Sequence, residues 1–160
     1  MATSSRSIGA LVLLLLASLA ITAGIYVWRT PRLPEPGTAA YESVATAYYR
    51  GLAALEVGLL EDALKGFQET TTLVPGEPAG WANTGVVRLR LGELDAAAEP
   101  IARAVALAPD NGELALLSAR FEIARGQLDQ GIAELRRAVQ LLPDNLQARF
   151  ALAEELERTG

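Results

Sequence analysis

"RGQLDQGIAELRRAVQLLPDN" runs from Arg125 to Asn145, and "LGELDAAAEPIARAVALAPDN" runs from Leu91 to Asn111, 34 residues earlier. Ten of the 21 aligned positions are identical: the glycine, "LD", "RAV", a leucine and the closing "PDN". A match of that length at one fixed offset marks an internal repeat. Periods of roughly 20–50 residues belong to stacked supersecondary units, each unable to bury its apolar face alone.

Extended in both directions, the period divides the chain into Val44–Glu77, Pro78–Asn111 and Gly112–Asn145, followed by a partial unit, Leu146–Gly160. Gly58, Gly92, Gly126 and Gly160 fall at unit position 15, and Pro75, Pro109 and Pro143 at position 32. Small residues recur at position 8 (Gly51, Gly85, Ala119, Ala153), position 20 (Ala63, Ala97, Gly131) and position 27 (Thr70, Ala104, Ala138). Two apolar-periodic runs broken by glycine predict a helix–turn–helix in each unit, the glycine taking the left-handed conformation that ends the first helix. Proline at position 32 cannot extend the second helix, and the "DN" or "GE" after it starts the next unit. Small residues at the three recurring positions let helix axes come close. Leu60, Leu64, Leu94, Ile101, Leu128, Ile132 and Leu135 are the candidates to fill the faces between them.

This pattern resembles the tetratricopeptide repeat family, over Val44 to Gly160. The resemblance implies an all-α fold: antiparallel helix pairs, about three and a half of them, stacked in a right-handed solenoid whose first helices line a concave groove. Carrying over the family's groove positions makes Tyr48, Tyr49, Leu52, Leu55, Asn83, Val86, Leu89, Arg90, Leu116, Leu117, Arg120 and Ile123 the lining. Tyr48, Tyr49, Leu52, Asn83, Val86, Arg90, Leu117 and Arg120 are the candidate binding residues for a protein or peptide partner. For Tyr48 and Tyr49 a second reading stays open, that they cover the end of the solenoid or pack on the linker. Members that grip a C-terminal carboxylate use basic residues and asparagines where this chain has Tyr48, Leu52, Asn83, Glu113 and Leu117. Only Asn83 agrees, so that mode is excluded.

Three departures from the pattern carry expectations. The aromatic residue at position 4 survives only as Trp81. Pro100, at position 23, should bend the second helix of unit two, while Gly131 costs about 1 kcal/mol of helix propensity and should loosen unit three. The fourth unit stops at its turn glycine. It is either a capping helix with a polar outer face of Glu154, Glu155, Glu157 and Arg158, or the start of a pair in a longer protein with activity beyond residue 160.

Outside the repeats, "IGALVLLLLASLAITAGIYVW" (Ile8–Trp28) is 21 residues without a charge. At about 1.5 Å per residue it spans the roughly 30 Å of a bilayer's hydrocarbon layer. Tyr26, Trp28, Arg29 and Arg32 close it as an interfacial belt. It is read as an uncleaved anchor, residues 8–28, after a short tail, residues 1–7. The competing reading cleaves it after "SLA" (Ser18–Ala20) and secretes a soluble repeat protein. Positive charges balance on the two sides, so orientation rests on the habit of bacterial single-span anchors, which leave the short tail in the cytoplasm. The expected location is therefore a bacterial inner membrane, the repeats extracytoplasmic; low lysine with high Ala, Arg and Leu fits a bacterial source. "TPRLPEPGTAA" (Thr30–Ala40) carries three prolines and is expected to be an extended spacer within the linker 29–40, ahead of the repeat domain 41–160.

Composition narrows the chemistry. The formal net charge is −5, and from Tyr41 onward 18 acidic residues against 11 basic ones give −7. That excludes a nucleic-acid binder, which needs a basic face against phosphates. The chain has no cysteine and no histidine, hence no thiol nucleophile, no imidazole base and none of the common zinc or haem ligands. No carboxylates are paired as an acid and base. The expectation is a non-enzyme with no cofactor, no metal and no small-molecule substrate.

Overall fold

The computed structural model describes residues 33–159. The described residues form seven helices and no strand: α1 Ala39–Glu56, α2 Leu60–Leu73, α3 Pro78–Arg90, α4 Leu94–Leu107, α5 Gly112–Ala124, α6 Leu128–Leu141 and α7 Leu146–Thr159. The expected anchor at 8–28 lies outside the described residues. Among those described, no helix is long and apolar enough to cross a membrane.

The punctuation of the repeat becomes geometry. Gly58, Gly92 and Gly126 have φ of 78°, 75° and 79°, and each sits in the short turn within a pair. An L side chain there would meet its own carbonyl, so glycine is the residue that ends the helix without strain. After the prolines the next helix is capped by a side chain. Asn111 Oδ1 accepts from the Glu113 and Leu114 amides at 2.9 and 3.4 Å, and Asn145 Oδ1 accepts from Ala148 N at 2.9 Å. These bonds satisfy amides that the first turn leaves without an intrahelical partner. In unit two the same place is held by Glu77 with Pro78 at the first helical position.

The linker ends differently from the extended spacer expected. Pro36 and Gly37, with φ of 83° at the glycine, form a tight turn closed by Thr38 N donating to Glu35 O at 3.2 Å. Thr38 then caps α1 through Tyr41 N at 3.2 Å, and α1 starts at Ala39, five residues before the first repeat unit. Proline and glycine at the centre of a turn outweigh the extended preference of the other prolines.

Packing passes from each unit to the next. Ala54, Ala63, Leu64 and Phe67 of the first pair close around Val87 of α3. Ala97, Ile101 and Ala104 of α4 pack with Leu114, Leu117 and Phe121 of α5. Ala115, Leu116 and Ala119 of α5 join Leu135 and Ala138 of α6 and Ala148 of α7. Of the expected core residues, Leu64, Ile101, Ile132 and Leu135 are buried, whereas Leu60, Leu94 and Leu128, each opening its helix, are half-buried. Trp81 packs on the second of these groups and donates its indole N–H to Pro75 O at 2.9 Å.

A close approach of backbone to backbone joins α1 and α2. A Cβ built on Gly66 would stand 2.7 Å from both Cα and N of Gly51 and 2.9 Å from Ala47 O. Pro100 is buried inside α4, which runs unbroken from Leu94 to Leu107. Gly131 has a packing role: a Cβ there would meet Ile123 Cγ1 at 2.5 Å. On α7 the expected polar outer face is only part of what is found. Leu146 and Phe150 are 76% and 72% exposed, while the Glu155 side chain is 14% exposed and paired with Arg158.

Candidate functional site

Among the first helices of the units, α3 and α5 touch directly. This brings four of the eight candidate residues into one groove. Val86 and Arg90 of α3 and Leu117 and Arg120 of α5 line it together with Leu89 and Ala124, around a volume of about 320 Å³. Val86, Leu89 and Leu117 belong to the apolar packing between α3, α4 and α5, which makes the floor firm. Arg90, Arg120 and Ala124 are exposed at its margins.

The other four candidates form a separate end. Tyr48 sets its ring edge-on to Phe67, with centroids 5.8 Å apart and planes at 62°. Its hydroxyl accepts from Asn83 Nδ2 at 3.2 Å, and the same nitrogen donates to Ala79 O at 3.0 Å. Tyr48 and Asn83 are therefore committed to joining α1 with α3, and Leu52 is half-buried against the same first-pair core. Tyr49 packs edge-on to Tyr48 at 5.8 Å but remains 67% exposed, free to meet a partner.

Tyr41, Tyr48 and Tyr49 line a hollow of about 210 Å³ with Leu33 of the linker, Glu77 and Ala79. Tyr41 and Glu77 were not among the sequence candidates. Tyr41 precedes the first repeat unit by three residues, so the repeat frame could not reach it. Leu116, expected in the groove, is instead 2% exposed and belongs to the packing of α5 with α6 and α7.

A larger hollow of about 740 Å³ lies between α1 and α2, edged by Arg50, Asp62, Lys65 and Glu69. Its charges already satisfy one another, as Arg50 pairs with Glu69 and Lys65 with Asp62. Among the described residues no group of three His, Cys, Asp or Glu could hold a metal ion. The arrangement that remains is a shallow apolar trough with cationic margins, suited to binding a chain segment.

Tetratricopeptide-repeat family models match residues 38–112 and 113–155. The chain belongs to the tetratricopeptide repeat family. Solved structures agree on the fold. The Arabidopsis OM64 TPR domain is 18% identical with a TM-score of 0.70, over 75% of this chain and 99% of that one. The first TPR of Spaghetti (RPAP3), bound to an HSP90 peptide, is 18% identical with a TM-score of 0.69, over 74% and 94%. PcrH, in complex with the chaperone binding region of PopD, is 18% identical with a TM-score of 0.69, over 78% and 98%. No curated protein matches the sequence.

Proposed function

We propose that this protein is a non-catalytic adaptor that holds a protein or peptide segment on the face built by α1, α3 and α5. We propose further that residues 8–28 anchor it in a bacterial inner membrane, with the repeats on the extracytoplasmic side. The observation that carries the first part is the apolar trough between α3 and α5. It has a firm floor and exposed margins, so it gains free energy by burying another molecule's side chains. Repeat structures with this fold carry such segments: an HSP90 peptide in RPAP3 and a region of PopD in PcrH. The anchor reading rests on the 21 uncharged residues Ile8–Trp28, which end in Tyr26 and Trp28 and are followed by Arg29.

Two measurements test the proposal. Membrane fractions washed with alkaline carbonate should retain the chain at its intact mass; release into the wash, or loss of the first twenty or so residues, removes the anchor. Protein captured with the detergent-solubilised wild type should be lost from the double variant Tyr49→Ala, Arg120→Glu. Unchanged co-purification counts against the groove.

A further inference from the structure

Five cations of the repeat domain are held by neighbouring carboxylates: Arg50 by Glu69, Lys65 by Asp62, Arg88 by Glu93, Arg137 by Glu134 and Arg158 by Glu155. Arg90 and Arg120 are among the six others that have no such partner among the described residues. Both are exposed, both line the trough between α3 and α5, and no carboxylate lines it with them. They come from successive units, so the stacking of the repeat, rather than a local sequence cluster, unites them. In a domain with 18 acidic residues against 11 basic ones, two unpaired guanidinium groups at one apolar trough are a local reversal of charge.

From this juxtaposition we infer that the trough selects a segment in which an apolar side chain is flanked by carboxylates. The inference rests on the reading of the groove as the binding face and specifies the chemistry of what it takes. Val86, Leu89 and Leu117 receive the apolar side chain. Arg90 and Arg120 meet the carboxylates, since the planar guanidinium fork matches a carboxylate with two parallel N–H bonds. The surrounding domain sets a limit on length. Its net charge of −7 repels a long acidic tract, whereas contact pairs act within the roughly 8 Å over which salt leaves a field unscreened. The selected pattern is therefore short, with acid on both sides of one apolar anchor. Such a segment is not steered from a distance, so its association rate stays in the ordinary unsteered range.

The test uses the full chain in detergent and three fluorescein-labelled peptides, read by fluorescence anisotropy. The peptides share one leucine-centred core and differ only in carrying glutamates, glutamines or lysines on either side of it. The glutamate peptide should bind about tenfold more tightly than the glutamine peptide, and the lysine peptide most weakly. Arg90→Gln and Arg120→Gln should each weaken the glutamate peptide by about threefold, and the glutamine peptide by clearly less. The double variant Arg90→Glu, Arg120→Glu should make the lysine peptide the better ligand, with circular dichroism confirming that the helices persist. Glutamate and glutamine peptides bound alike, and both lost with Ala124→Trp, would overturn the carboxylate inference while leaving the groove in place. Binding of both that survives Ala124→Trp would overturn the groove as well. A glutamate peptide that does not bind at about 1 mM overturns the inference, and the capture experiment with Tyr49→Ala, Arg120→Glu then decides the groove separately.

Discussion

Replacing Gly66 by alanine sets two effects of known size against each other. Alanine in a helix interior is favoured over glycine by about 1 kcal/mol. In α2, however, the new Cβ would lie 2.7 Å from Cα and N of Gly51 and 2.9 Å from Ala47 O. These are backbone atoms of α1, and they yield only if the two helices separate. Overpacking of a filled interior costs about 1–3 kcal/mol, and a collision with backbone belongs at the upper end. The net expectation is a loss of about 2 kcal/mol, or a melting temperature lower by about 8 °C for a domain of this size. Gly131→Ala is the matched control. Its Cβ would meet Ile123 Cγ1 at 2.5 Å and Ala119 O at 3.3 Å, but Ile123 is half-buried and its side chain can change rotamer. Propensity gain and repacking loss then nearly cancel, leaving a change within about 1 kcal/mol. Thermal unfolding of the full chain in detergent, followed by far-UV circular dichroism, measures both. A Gly66→Ala variant melting at or above the wild type would refute the account of how α1 and α2 pack.

Other substitutions read other parts of the fold. Phe67→Ala should cost about 3–5 kcal/mol in urea unfolding, because Phe67 is 0% exposed and Tyr48 rests on its ring. Gly92→Ala should cost about 1–2 kcal/mol in the same assay from the local backbone alone, since φ is 75° and no atom beyond its chain neighbours lies within 4 Å of the added Cβ. Phe150→Ser should change stability by less than about 0.5 kcal/mol, as the side chain is 72% exposed on α7.

The features most legible in the sequence were those where one residue type has one physical use. Glycine at position 15 and proline at position 32 placed the turns and helix ends, and the asparagine of "PDN" proved to be the cap of the next helix. Where a position has several uses, the sequence was less informative. In α5 Leu114, Ala115, Leu116, Leu117 and Phe121 are all buried. A helix apolar on nearly every side has no face that periodicity can single out. The family's groove positions put both Leu116 and Leu117 in the groove; Leu117 lines the trough, whereas Leu116 packs toward α6 and α7. Position 23 holds Gly66, Pro100 and Glu134, three types with nothing in common, so the close approach at Gly66 could not be read from the column. Gly131 was read as a propensity defect because the sequence does not show that Ile123 occupies the space of its missing side chain.

The groove was half legible. Arg90, Arg120, Val86 and Leu117 follow from the repeat frame, and the structure brings them together. Tyr48 and Asn83 were placed by the same repeat frame but bond to each other. A donor and an acceptor on neighbouring helices spend their capacity internally once stacking brings them into reach, and single-chain periodicity does not reveal such pairs.

A photo-crosslinking residue placed in cells at Ala124, on the margin of the trough, tests the binding face most directly. The same residue at Ala106, exposed on α4 away from the trough lining, is its control. The account predicts a discrete protein adduct from Ala124 and none from Ala106. Adducts from both alike, or from Ala106 alone, would contradict it.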